Sequence, residues 1–267
     1  MSMIPEDCFL RKLPIGISLV QRMKLDGIRI AAEMVELSNN RLIAVALHIS
    51  REQQLNPNGD SMIALQTDAW SIVNHCHTIR KILQSSPEID TNGIATFLES
   101  TKDVSEVRDA HHHYYSQIEN RSQKKRKTFP LYGAVSWTYG VGARPQGVHF
   151  VTCWKGAMHE PKVTAGFQIP GDGLRLPVGN VHLQAFDYDI DLQKVTDAVA
   201  SLIQHLNTEV AELARKGLDK VAAERNVDRE KLNANVAADM FFALWGEISW
   251  GSSGSPSPQN PSPDKVA

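Results

Sequence analysis

The sequence predicts an α+β fold, mainly a helical bundle with a small antiparallel β-sheet inserted before the last long helix. Two observations carry this. Long stretches on both sides of the chain repeat apolar residues every three or four positions, the spacing of one helical face. Between them the pattern switches to period-two alternation punctuated by Gly and Pro, as in short strands joined by tight turns. The 267-residue chain is 42% hydrophobic and 22% charged, which supplies enough apolar material for a substantial core.

Residues 18–54 read as helical through Leu42, Val45, Ala46 and Ile49, with Gly27 and Asn39-Asn40 as points where the helix could divide in two. Asn56-Pro57-Asn58-Gly59 marks a loop, after which Asp60 or Ser61 is placed to cap a second helix. That helix carries Leu65, Ala69, Ile72, Cys76, Ile79 and Leu83 and ends before Pro87. A third helical stretch, 92–121, carries Ile94, Phe97 and Leu98, then Val104, Val107, His111, Tyr114 and Ile118, with a candidate break at Ser100-Thr101. Strands are expected at 131–139, 148–154, 162–169 and 181–187, arranged as a meander. Asp189 or Asp191 is placed to cap the clearest helix, whose stripe is Leu192, Val195, Val199, Leu202, Leu206, Val210 and Leu213. A shorter amphipathic segment at 228–245 follows, and then a tail rich in Ser, Pro and Gly that is expected to be disordered.

Helices with a single apolar stripe must bury it against one another, which gives a bundle. The expected organisation is therefore 16–128 for the first part of the bundle, 129–188 for the β insertion, 189–248 for the closing helices and 249–267 for the tail.

A net charge of -2 argues against a protein that is basic throughout. Cys8, Cys76 and Cys153 are far apart and odd in number, so reduced thiols are expected rather than a disulfide framework. The first residues lack a signal-peptide apolar run, and no stretch approaches the roughly 18 apolar residues of a membrane span. A cytoplasmic protein without membrane insertion is expected. No cofactor is expected either. Gly140-Val141-Gly142 lacks the third glycine and the strand-to-helix context of a dinucleotide loop, and no G-x-S-x-G elbow is present.

The most unusual stretch is Glu106-Val107-Arg108-Asp109-Ala110-His111-His112-His113-Tyr114-Tyr115. Arg108, Asp109 and His113 resemble the HEPN motif, in which an arginine and a polar neighbour precede a histidine after a spacer of four to six residues. Asp68-Ala69-Trp70, Phe97-Leu98 and Leu131-Tyr132-Gly133-Ala134-Val135-Ser136-Trp137 resemble phrases of bacterial proteins with the same helix-then-sheet layout. The resemblance covers about residues 40–210. It implies a helical bundle with the motif on a late helix. It further implies a range of roles, from metal-independent endoribonuclease or toxin with an antitoxin-like protein partner to inactive binding member. It also implies a homodimer that acts on RNA.

The chemistry suits those residue types. Internal transfer at an RNA phosphate needs a base or acid near neutral pH, which histidine supplies. It also needs a fixed cation on the phosphate, which arginine supplies as a planar fork. Arg108 is then the phosphate-stabilising residue, His113 the acid or base and Asp109 the orienting group. Helix geometry leaves the histidine open. His112 stands four residues after Arg108 and shares its face, whereas His113 stands four after Asp109. His111 falls in the apolar stripe, as a core residue would.

Other assignments compete. Arg108 could be a salt-bridge partner of Glu106 or Asp109 alone. The histidine triplet with His75, Cys76 and His77 could suggest zinc, but consecutive histidines fan out around a helix, so no metal site is expected. Lys124, Lys125, Arg126 and Lys127 could grip an RNA backbone or merely end a helix favourably. Tyr132, Trp137 and Tyr139 could stack bases or fill a core. Trp137, Trp154 and Phe167 could instead line a small-molecule pocket between sheet and bundle. A non-catalytic dimeric interaction module is the alternative to an enzyme.

Overall fold

The computed structural model describes residues 2–13, 17–52, 59–86, 92–123, 132–140, 149–154 and 177–225. The expected strand at 162–169, the segment at 228–245, the tail, Phe167 and the basic run Lys124–Lys127 lie outside the described residues. In chain order the elements are α1 (Leu19–Arg51), α2 (Gly59–Gln84), α3 (Asn92–Ser100), α4 (Lys102–His112), α5 (Tyr114–Gln123), β1 (Ala134–Tyr139), β2 (His149–Trp154), β3 (Val178–Ala185), β4 (Tyr188–Asp191) and α6 (Leu192–Arg225). Among the described residues the protein is mainly helical with a four-stranded antiparallel sheet, the α+β class that the hydrophobic periodicities predict.

α1 and α2 form the central antiparallel pair, and α6 packs across both and against α3 and β3. α1 is a single helix. Ser18 opens it with a reciprocal capping box: its Oγ accepts from the Gln21 N–H at 3.2 Å, and the Gln21 Oε1 accepts from the Ser18 N–H at 3.0 Å. Gly27 does not interrupt it, because a Cβ there would stand 3.2 Å from the Ile82 Cδ1, so the glycine lets α2 approach. Packing along the whole length overrides the weak propensity of Gly27 and Asn39-Asn40.

The third helical stretch divides twice. At Thr101 the Arg80 guanidinium, reaching over from α2, binds the Leu98 carbonyl and the Thr101 Oγ1. The Thr101 hydroxyl turns back onto the Phe97 carbonyl at 2.7 Å. These contacts compete with the next helical turn and end α3. The second break, at His113, is not visible in the sequence. His113 leaves helical geometry while its N–H still reaches the Asp109 carbonyl, and its own carbonyl accepts from the Ser116 Oγ at 2.8 Å. The expected stripe is therefore cut. Val104 and Val107 are fully buried, His111 and Tyr114 are half-buried, and Ile118 is exposed.

The described strands run in the order β2-β1-β3-β4, which corrects the expected meander. β3, the strand expected at 181–187, adds to the free edge of β1, where a meander would place it beside the third expected strand, 162–169, which lies outside the described residues. β3 and β4 form a tight hairpin whose turn includes Phe186 at φ 58°, so the strand expected at 181–187 starts earlier, ends at Ala185, and is followed by a further strand at Tyr188–Asp191. Gly133 leads into β1 at φ 84°, and a Cβ there would stand 2.7 Å from the Gln184 carbonyl oxygen, so glycine is required. Trp137 is fully buried, and its indole N–H donates to the Ser50 Oγ at 2.8 Å. It locks sheet to bundle and is core, not the wall of a pocket. Val135, Trp137, Leu183 and Ile190 join the helical residues in one continuous hydrophobic core.

Asp191, not Asp189, caps α6. Its Oδ1 accepts from the Gln193 N–H at 3.1 Å and the Lys194 N–H at 3.0 Å. Asp191→Ala is expected to cost about 1 kcal/mol, read as a lower urea midpoint with an unchanged slope.

Candidate functional site

α4 lies on α2 and β4, and it carries the unusual stretch along the side where α2 presents Trp70, His77 and Arg80. Val104, Val107 and Ala110 bury against the bundle and fix the helix rotation. Arg108 is consequently half-buried, Asp109 exposed, and His112 and His113 exposed at the helix end. Arg108 makes no hydrogen bond or ion pair among the described residues, so neither Glu106 nor Asp109 uses up its charge. His112 lies one helical turn beyond Arg108, and the His113 N–H sits on the Asp109 carbonyl at 3.1 Å. The His112 and His113 rings meet edge to face at 5.6 Å. No hydrogen bond joins His113 to Arg108 or to the Asp109 carboxylate.

Two further histidines flank Arg108. His77 on α2 is buried, with its Nδ1 3.4 Å from the Ser105 Oγ. Burial holds its ring below the usual imidazole range, the nearby Arg108 charge pushes the same way, and Asp109 opposes. His111 stacks on Trp70 with ring centroids 4.1 Å apart, and it too is held low, first by burial and then by Arg108 and His112. Ser105 in turn accepts from the Arg80 Nε at 2.9 Å, tying α4 to α2. Spacing had singled out His77 only as an unconvincing metal ligand, and it had not singled out Arg80 or Ser105 at all. The available signal was that His77 and Arg80, and Ser105 and Arg108, are each three residues apart and so share a helical face.

An aromatic patch adjoins this cluster. The Trp70 indole N–H donates to the Tyr132 carbonyl at 2.9 Å, and the Gln66 side chain donates to the Gly133 carbonyl at 3.2 Å, so α2 pins the start of β1. Tyr132, half of it exposed, then faces Tyr114 at 5.5 Å and His111 at 6.0 Å. Of the expected stacking residues, Tyr132 is thus at the surface beside the motif, Trp137 is core, and Tyr139 lies near His149 on the sheet. The Trp154 side chain and the basic run Lys124–Lys127 lie outside the described residues.

Among the described residues no group of three His, Cys, Asp or Glu side chains is arranged to hold a metal ion. The Cys76 thiol is fully buried and pushed up to about 12 by that burial, so it stays protonated. No described helix is long and apolar enough to cross a membrane.

No family model matches this chain. No curated protein and no solved structure matches it either.

The low histidines set a sign for pH dependence. Between the 6.5 of a free imidazole and the lower folded value of His77 or His111, the unfolded chain binds protons that the folded chain refuses. Stability therefore falls on acidification through that window. His182 acts in the opposite sense. Burial pulls it down, but the Asp189 hydrogen bond at 2.9 Å and the nearby carboxylates raise it overall. Its contribution is complete below 6.5 and fades as pH rises through its folded value. His111→Phe, which keeps the stack on Trp70, is expected to flatten the acid-side loss between pH 7 and 5, measured by urea unfolding.

Proposed function

We propose that this protein is a metal-independent endoribonuclease of HEPN-like character, cutting RNA by internal transfer at the phosphate. The observation that carries this is Arg108, a half-buried residue whose guanidinium has no hydrogen-bond or ion-pair partner among the described residues, beside the histidines of α4. A cation held by the fold yet unpaired favours an anionic ligand, because partial burial raises the value of a charge-assisted contact. Tyr132, Tyr114 and His111 offer ring faces on which a neighbouring base can stack.

In this reading Arg108 binds the non-bridging phosphate oxygens and stabilises the charge that grows on them. His113 takes the proton of the 2′-hydroxyl as that oxygen attacks phosphorus. The 5′-oxygen leaves and takes a proton from an acid, for which His112, in ring contact with His113, is placed. Asp109 stabilises the charged imidazole. The run Lys124, Lys125, Arg126 and Lys127 adds sequence-independent backbone contacts. The site is small and needs no cofactor for this chemistry. A toxin-type RNase with an antitoxin-like protein partner, working in the cytoplasm, is the setting this activity suits.

The test is incubation of the purified full chain with total RNA, with and without chelator, beside the Arg108→Ala/His113→Ala variant. Cleavage that survives chelator and is lost in the variant supports the proposal. Absence of cleavage, or equal cleavage by the variant, refutes it. If neither protein cleaves, the non-catalytic interaction module gains, a reading favoured by the exposed apolar face of α1.

A further inference from the structure

α1 carries an apolar stripe on the side turned away from its own core. Leu25, Ile28, Ala32, Val35, Leu42, Ala46 and Ile49 face inward and are buried. On the outer side Leu19, Val20, Met23, Ile30, Met34 and Leu37 remain exposed, Met23 at 67% and Leu37 at 52%. Val20, Met23, Ile30, Met34 and Leu37 fall on the a and d spacing of a coiled-coil seam, while the position between Met23 and Ile30 is Gly27, over which Ile82 of α2 sits. An ordinary solvated helix face is polar, and a continuous exposed apolar stripe marks an interaction surface.

The stripe is also a palindrome. A two-fold axis between Ile28 and Arg29 pairs Val20 with Leu37 and Met23 with Met34, and sets the exposed Ile30 of each copy close to the axis. Each pair joins an a position to a d position, as antiparallel helices require. Self-complementarity under a two-fold axis is what an isologous dimer needs. The flanking charges do not oppose it. Asp26 and Glu33 would approach across the axis, but Arg29 already binds both, at 2.8 and 3.4 Å, and Arg11 binds Glu33 at 2.6 Å. The exposed side chains offer on the order of 600 Å² per protomer, about 1,200 Å² for a pair, the lower bound of a stable interface.

We infer that the outer face of α1 is a homodimer interface, in which two copies of this chain pair their α1 helices antiparallel about an axis between Ile28 and Arg29. This stands independently of the RNase proposal. The site on α4 packs against α2 and β4, so each copy keeps a complete Arg108 cluster of its own.

Sedimentation equilibrium of the full chain at micromolar concentration tests it. The expected result is a mass of two chains, falling by half in Ile30→Lys and unchanged in Ile63→Lys, which alters an exposed apolar residue of α2. Circular dichroism checks that both variants keep their helix content. A monomeric wild type, including one that binds lipid vesicles through this face, overturns the inference, as does a dimer indifferent to Ile30→Lys. The orientation is read from cysteines. Mild oxidation should cross-link the Val20→Cys/Leu37→Cys variant between copies and neither single variant, since Cys8, Cys76 and Cys153 are buried. Cross-linking of Val20→Cys alone would show a parallel pair and contradict the axis.

Discussion

Arg108→Ala is expected to lower RNA cleavage by roughly 10²–10³-fold, the loss seen when a group that stabilises transition-state charge is removed. The fold should survive, because Arg108 makes no hydrogen bond or ion pair among the described residues whose loss would strand a buried partner. Its neighbours register its absence differently. With the guanidinium gone, His77 and His111 lose one of the influences that hold them low, so both should titrate at higher pH. Two-dimensional NMR of the histidine side chains would record that shift even if no substrate were found. Arg108→Lys keeps the charge but not the fork, and it should restore part of the cleavage while leaving a weaker grip on phosphate. If Arg108→Ala cleaves as well as the wild type, the arginine is not the phosphate-stabilising group.

The largest expected loss of stability comes from Trp137→Ala, about 3–5 kcal/mol. Trp137 is fully buried between sheet and bundle, and its N–H meets Ser50, whose hydroxyl donates to the Ala46 carbonyl at 2.8 Å. Alanine would leave a cavity under β1 and remove one partner from a buried hydroxyl. Trp137→Phe refills most of the volume and should cost about 1–2 kcal/mol, which isolates the contribution of the hydrogen bond. Chemical denaturation with tryptophan-independent detection, such as far-UV circular dichroism, separates the two variants.

What could be read in the sequence was whatever repeats at short range. The stripe from Leu192 to Val210 marks α6, and the alternation through Val135 and Trp137 marks β1. Strand order was not legible, because β3 chooses the far edge of β1 through pairing that no local period encodes. The break at His113 was hidden for the opposite reason: Val107, Tyr114 and Ile118 keep a helical spacing across it, while the backbone departs from the helix. For the candidate site, the motif made Arg108, Asp109 and His113 legible. Their surroundings were not. His77 comes from a helix about thirty residues earlier, and Trp70 and Tyr132 meet His111 only once α2, α4 and β1 pack together. The unpaired state of Arg108 likewise depends on which acids the fold brings near it, and spacing to Glu106 and Asp109 predicted the reverse as readily.

The most direct test of the central proposal is end-group analysis of the RNA fragments produced in the presence of chelator. Internal transfer by Arg108 and His113 predicts 2′,3′-cyclic phosphate at the new ends and 5′-hydroxyl on the partner fragments, with neither formed by the Arg108→Ala/His113→Ala variant. Fragments with 5′-phosphate ends, or ends of any kind produced equally by that variant, would contradict it.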